Sequence, residues 1–380
     1  MKVDFYRHSL EESDIERVTE VLRSTFLTTG EVTAAFEKKL AAYLGVKHVV
    51  GVMSCTQALH LSLLAWGIGP GDEVITTPMT FIASSNAVLH AGATPVFVDV
   101  EKRTGNLDAG RIEEKITPRT RAILPVHLYG QMSDMKEIRW IADRRGLIVI
   151  EDAAHCLEGE RDGVRPGRLG EAACLSFYAT KNITSGEGGA IATNDDRKAD
   201  LLRRLRLHGM DKSAADRYTK LYRHWDMSVL GWKANLDNIK AALLIGQLDR
   251  VEDRWRRREE IARRYRDAFS RAPGLGLMSD LPGVKHARHL FTVHAPPDRR
   301  DAFLAGLQER GVGVAVNYRA VHLLDYYARQ FGFRRGDYPV AEAIGDATVT
   351  LPLYPGLKDE EIEYVIEAVS SEAESWSSRC

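Results

Sequence analysis

Leu147-Ile148-Val149-Ile150-Glu151-Asp152-Ala153-Ala154-His155 is an apolar run that ends in acids, and its reading decides the fold. Four apolar residues in a row, without alternation, mark a strand covered on both faces, as in a parallel sheet. Asp152 closes that strand. Further on, Lys181 lies inside Ser176-Phe177-Tyr178-Ala179-Thr180-Lys181-Asn182 and ahead of Gly186-Glu187-Gly188-Gly189. A carboxylate at a strand end holds a pyridinium nitrogen protonated, and a lysine beyond the next strand holds an aldehyde as a Schiff base. The pair points to a pyridoxal phosphate site. Asp152 as a helix cap and Lys181 as a surface charge are the ordinary alternatives. Against them, Ala153, Ala154 and the glycines leave room for a flat ring to lie against backbone.

Outward from this run, strand-like and helix-like segments alternate from about residue 48 to 195. Strands are expected at 48–53, 73–77, 95–100, 122–126, 174–178 and 189–193, with helices at 58–64 and 81–90. Their Val/Ile-rich runs predict a mainly parallel sheet with helices on both faces. A long helical pattern covers Leu236 to about Phe269 and breaks at Arg271-Ala272-Pro273-Gly274, a natural junction. The remainder reads as α+β, with strands at 289–294 and 313–316 and helices at 298–310 and 359–371. The expected division is an N-terminal segment 1–30, a large domain 31–270 and a small domain 271–380. The N-terminal segment, helical around Asp14 to Leu22, is expected on the small domain or at a subunit boundary.

The chain has 380 residues, enough for a large and a small domain. Lys plus Arg number 52 and Asp plus Glu 53, a balance that argues against nucleic acid or an anionic membrane as partner. Arg254-Trp255-Arg256-Arg257-Arg258 is the one dense basic run and reads as a solvated helix face. Cys55, Cys156, Cys174 and Cys380 show no paired spacing, so reduced thiols and no metal site are expected. Nothing resembles a signal peptide or a membrane span, and the expected location is cytoplasmic.

Ser54-Cys55-Thr56-Gln57 joins the first clear strand to a helix. Its free N–H groups and the helix dipole suit a phosphate, with the Thr56 hydroxyl as a further donor. Alone this is an ordinary helix start. Phe81, at the start of the helix after strand 73–77, is placed to stack on a flat heterocycle, although such a residue is usually core.

With these residues in order, the chain closely resembles the DegT/DnrJ/EryC1/StrS family of nucleotide-sugar aminotransferases over essentially its whole length. The resemblance rests on Leu27-Thr28-Thr29-Gly30, Gly69-Pro70-Gly71-Asp72-Glu73-Val74-Ile75, Thr80-Phe81 and Pro95-Val96-Phe97-Val98-Asp99-Val100. Val126-His127-Leu128-Tyr129-Gly130 and the Asp152 and Lys181 segments complete it. It implies an aspartate aminotransferase-like (PLP type I) α/β fold, with a large mainly parallel-sheet α/β/α domain and a smaller α+β C-terminal domain. By resemblance Lys181 is the Schiff-base lysine and proton shuttle, Asp152 the pyridinium partner and His155 the residue beside the ring hydroxyl. Phe81 and Ala154 flank the ring; Cys55, Thr56 and Ser176 hold the phosphate. Gly231-Trp232-Lys233-Ala234-Asn235-Leu236 is similar to the segment a partner subunit lends to the phosphate, so a homodimer with shared sites is implied. Thr28, Tyr318 and His322 are the implied substrate residues, the last two in Val316-Asn317-Tyr318-Arg319-Ala320-Val321-His322-Leu323.

Three departures from the family pattern involve four positions: Cys55 replaces a usual Gly, Trp232 a usual Tyr, and Lys233 with Asn235 a common Asn-x-Arg. Either Lys233 or Asn235 is expected at the phosphate. The Lys-x-Asn version is similar to members that aminate C4 of a ketosugar. Relatives with His in place of Lys181 are dehydratases, so the lysine favours transamination. The implied function is transfer of an amino group from glutamate, through pyridoxamine phosphate, to C4 of a nucleotide-linked 4-keto-6-deoxy sugar. Amination at C3, or a lyase or sulfur-transfer reaction on the same fold, is the alternative. A regulatory protein with a DNA-binding module is disfavoured, since no helix-turn-helix or basic domain is appended.

Overall fold

In the computed structural model, residues 1–211 and 224–376 are described. Cys380 lies outside them. The first half carries α1 (Glu12–Arg23), α2 (Glu31–Leu44), β1 (His48–Val52), α3 (Cys55–Ala65), β2 (Glu73–Thr76), α4 (Ala83–His90) and β3 (Thr94–Phe97). It continues through β4 (Thr120–Ile123), α5 (Met135–Arg145), β5 (Ile148–Asp152), β6 (Glu160–Arg161), β7 (Ala172–Ser176), β8 (Gly189–Thr193) and α6 (Asp196–Leu205).

Seven of these strands form one sheet in the order β1-β8-β7-β5-β4-β2-β3. β8 runs antiparallel to both β1 and β7, and the pairs from β7 to β3 are parallel. Val149 of β5 belongs to the core on one face of the sheet and Ile150 to the core on the other. That two-sided burial explains why the deciding strand is apolar throughout. β5 and β7 are parallel neighbours, with Asp152 opposite Cys174, so the segments leaving both strands emerge at one edge of the sheet. Ligands of open α/β sheets bind at that carboxyl edge.

The expected long helix is two helices, α7 (Asn238–Asp249) and α8 (Val251–Phe269), broken at Arg250 with φ −100° and ψ 5°. The Arg250 guanidinium hydrogen-bonds Asp14, buried in α1, at 2.6 Å and forms an ion pair with Glu11 at 2.8 Å. This anchor lies far away in sequence and is invisible to helical periodicity. The C-terminal core gathers Ile261, Tyr265 and Phe269 of α8 around a three-stranded antiparallel sheet of β9 (Gly276–Leu277), β11 (Phe291–His294) and β12 (Thr348–Leu351). β10 (Val284–Lys285) pairs with β6. Val3 joins this core and pairs with Val312, while Asp14 on α1 ties to Arg250 at the end of α7.

Residues 313–316, expected as a strand, make only an isolated bridge at Ala315 to Thr350; the neighbouring Val312 pairs with Val3 instead. Partners on two different elements leave no continuous ladder. The solvated-face reading of the basic run also needs correction. Arg254 and Arg258 are buried, Arg258 against the equally buried Glu158, because α8 turns that face inward. Arg256 and Arg257 keep to the surface side, paired with Asp253 and with Glu260 and Asp359. Among the described residues no helix is long and apolar enough to cross a membrane, and no group of three or more His, Cys, Asp or Glu side chains is placed to hold a metal.

Candidate active site

A cavity of about 510 Å³ opens at the carboxyl edge of the sheet, within the size range of small-molecule sites. Cys55, Thr56, Phe81, Asp152, Ala154, His155, Ser176, Lys181 and Tyr318 all line it, together with Phe5, Glu187, His289 and Asn317. Residues separated by more than 260 positions in the chain thus meet at one place.

Asp152, the last residue of β5, is buried. Ser84 Oγ donates to its Oδ2 at 2.7 Å and the Ala154 N–H to its Oδ1 at 3.1 Å. Burial raises its pKa, and the Ser84 and Ala154 hydrogen bonds and the nearby Lys181 oppose that rise. Such a carboxylate favours a cationic N–H partner in the cavity. The Lys181 amine is lowered to about 8, chiefly by desolvation, with Cys55 and Asp152 pulling the other way. An amine so lowered is about one-tenth neutral at pH 7, a far larger neutral share than free lysine has. Its Nζ lies 3.2 Å from His289 Nε2.

The Tyr129 N–H donates to His155 Nδ1 at 3.2 Å, so in the neutral ring the hydrogen sits on Nε2. Burial, and then Lys181, keep that ring neutral by pushing its pKa well down. Nε2 faces the Tyr318 hydroxyl at 3.1 Å, and the two rings are stacked at 5.9 Å. His155 therefore presents a donor into the cavity, suited to an anionic ring oxygen.

The phosphate cradle is built at the start of α3. Ser54 caps the helix by accepting from the Gln57 N–H at 3.2 Å, and Ala58 N–H bonds Ser54 O. Among the described residues the N–H groups of Cys55 and Thr56 meet no acceptor within the chain, the usual anion-binding arrangement of a helix N-terminus. Gly189 makes room for it: a Cβ there would lie 2.5 Å from the Ser54 carbonyl carbon and 2.6 Å from Cys55 N. Cys55, in place of the family's usual Gly, is a buried part of the cavity wall, its thiol close enough to Lys181 and Asp152 to interact with both electrostatically.

These residues fit pyridoxal phosphate. Asp152 would hold the ring nitrogen, His155 the ring hydroxyl, the α3 N-terminus with Thr56 and Ser176 the phosphate, and Lys181 the aldehyde carbon.

The other expected site residues stand elsewhere. Thr28, Lys233 and Asn235 do not line the cavity. Lys233 Nζ bonds Asn235 Oδ1 at 2.7 Å, Asn235 Nδ2 bonds Thr29 Oγ1 at 2.6 Å, and Asn235 bridges to Val52 at the β1 edge. His322 is corrected outright. It is fully buried, with Nε2 3.0 Å from Glu342 and its ring edge-on to Tyr338 at 4.8 Å. It packs among Phe333 and Tyr338 and does not reach the cavity.

Sequence reasoning overlooked Ser84 and His289. Ser84 follows Thr80-Phe81 by one helical turn, a spacing that could have flagged it. His289 had no such signal, because only tertiary packing brings the lead-in to β11 against Lys181.

The sheet, the strand-end acid and the desolvated lysine together define a fold-type I pyridoxal phosphate enzyme. Residues 8–370 match the DegT/DnrJ/EryC1/StrS aminotransferase family, and the chain belongs to that family. It is 43% identical to the spore coat polysaccharide biosynthesis protein SpsC of Bacillus subtilis (strain 168), covering 94% of each chain. It is 39% identical to the GDP-perosamine synthase of Caulobacter vibrioides (strain ATCC 19089 / CIP 103742 / CB 15), over 95% of each. Among solved structures, DesV of S. venezuelae superposes with a TM-score of 0.89 at 37% identity, covering 96% of this chain and 95% of that one. The protein is a pyridoxal phosphate-dependent sugar aminotransferase.

Proposed function

We infer that the chain moves an amino group from glutamate to C4 of a nucleotide-linked 4-keto-6-deoxy sugar, with Lys181 and Asp152 as its catalytic residues. The observation that carries the assignment is that the Asp152 carboxylate at the end of β5 and the Lys181 amine, in the turn after the neighbouring parallel strand β7, enter one cavity. Bound pyridoxal phosphate supplies an electron sink for negative charge developing at the substrate carbon. Asp152 keeps the ring nitrogen protonated, which makes that sink effective. Lys181 would move a proton between the substrate carbon and the cofactor within each half-reaction, in opposite directions in the two halves, a role its lowered pKa suits. Phe81 and Ala154 confine the ring from its two sides. Tyr318 lines the same cavity and contacts the sugar.

The preference for C4 over C3 rests on the Lys233–Asn235 pattern, and the nucleotide-linked substrate on the relative named GDP-perosamine synthase. Among the described residues nothing favours a sulfur-transfer reaction, since Cys55, Cys156 and Cys174 are buried and burial pushes each thiol up, away from a reactive thiolate. Purified protein with pyridoxal phosphate and glutamate, offered a panel of nucleotide 4-keto and 3-keto sugars, should aminate the 4-keto members at C4, as read by mass and NMR. Amination confined to 3-keto sugars would overturn the assignment.

The proposed site is completed by segment 231–236 of a second copy. Met53 and Leu230 beside that segment, and Phe81 and Tyr178 at the cavity, are large apolar side chains left exposed at 45%, 73%, 54% and 48%. The Met53 N–H bonds Ala234 O, which makes the segment continuous with the exposed patch. Light scattering of the active protein should give twice the chain mass. An active monomer would sink the shared-site arrangement.

A further inference from the structure

We propose that His289 is a positioning residue for Lys181, its proton placement dictated by a buried chain that runs through Asn182 to Glu158 and Arg258. The inference rests on Lys181 being the reactive amine.

The direction of every hydrogen bond in this chain is set by its anchored end. Asn182 Nδ2 lies 2.6 Å from Glu158 Oε2 and 3.1 Å from the Ala287 carbonyl oxygen. A carbonyl can only accept, so the amide nitrogen must face it and the amide oxygen must face the other way. That oxygen lies 3.2 Å from His289 Nδ1, which must then carry the hydrogen. A neutral ring protonated at Nδ1 leaves its lone pair on Nε2, and Nε2 is the atom 3.2 Å from Lys181 Nζ. The lysine therefore donates to the histidine. One N–H is fixed toward His289, on the wall of the cavity that also holds Asp152.

The far end is a buried ion pair. Glu158 and Arg258 are both buried and bonded to each other, a pair that is costly to break from one side. Arg258 comes from α8, whose later turns belong to the C-terminal core, and His289 leads into β11 of that core, whereas Lys181, Asn182 and Glu158 belong with the large sheet. The amine is thus oriented by a chain that ties the two cores together. His289 stays neutral in this role: burial first, and then Lys181, His155, Arg258 and His286, push its pKa well below the ordinary histidine value. Its ring centroid lies 4.6 Å from that of His155.

The test is the pH dependence of Lys181 acetylation by acetic anhydride in the full-length chain stripped of cofactor, read on the Lys181 peptide by mass spectrometry. The groups facing the amine are Asp152 from β5, Cys55 from α3, His155 beyond β5 and His289 before β11. The unmodified protein should show a midpoint near pH 8. A hydrogen bond accepted from the charged amine favours that form, so His289→Phe should drop the midpoint by about one pH unit. His289→Gln, whose amide oxygen can still accept, should restore most of it. Asn182→Ala frees the ring to take the other tautomer and should lower the midpoint by less. An unchanged midpoint in folded His289→Phe, or in Asn182→Ala if the former does not fold, overturns the proposal. Failure of the catalytic assignment would show separately, as turnover by Lys181→Ala.

Discussion

Lys181→Ala should have no measurable aminotransferase turnover and should not hold pyridoxal phosphate covalently, as read by absorbance near the cofactor band and by intact mass after borohydride reduction. The expected loss is at least about 10⁴-fold, because the one side chain supplies both the covalent anchor and the proton-moving amine. Among the described residues, the other basic groups lining the cavity are His155 and His289, and burial depresses both rings well below the ordinary value. Neither is placed or tuned to replace a primary amine. The fold should survive. Alanine removes a desolvated amine from the wall of an existing cavity, so the unfolding midpoint should stay or rise. A variant that keeps even a tenth of the wild-type rate would refute the catalytic role.

Asp152→Asn separates chemistry from architecture. The substitution preserves shape: an asparagine oxygen can still accept from the Ala154 N–H, and its NH₂ can donate to Ser84 Oγ, whose hydroxyl hydrogen is free to turn. A neutral amide, however, cannot favour a protonated ring nitrogen as a carboxylate does. Turnover should fall by about 10³-fold, the scale expected when a group that holds a catalytic proton is lost. Cofactor retention and thermal stability should change little. Wild-type turnover in Asp152→Asn would show that the strand-end acid is not the ring nitrogen's partner.

The site was legible to different depths for physical reasons. Asp152, Lys181, Cys55, Thr56, Phe81, Ala154, His155 and Ser176 follow or open elements of the parallel sheet, and parallel strands carry their trailing residues to one edge. Strand order then brings them together without any finer knowledge of packing. His322 failed because a histidine near a conspicuous loop motif carries no sign of which way its ring turns. Here it turns into an aromatic cluster and pairs with Glu342. Arg258 failed likewise: an arginine-rich helix looks solvated until Glu158, a hundred residues earlier, is known to meet it.

Local chemistry in the chain was sufficient to determine the two-sided sheet, the strand-end acid and lysine, and the helix start suited to a phosphate. Hydrophobic period, chain reversal and helix capping act over a few residues and leave their marks there. Tertiary structure alone decided the break at Arg250, the inward turn of Arg254 and Arg258, the seclusion of His322 and the tautomer of His289. Each depends on a charge or carbonyl group supplied from outside the residue's own helix or strand. Burying a polar group is costly unless a partner meets it, so the identity of that partner, absent from the local pattern, sets the outcome.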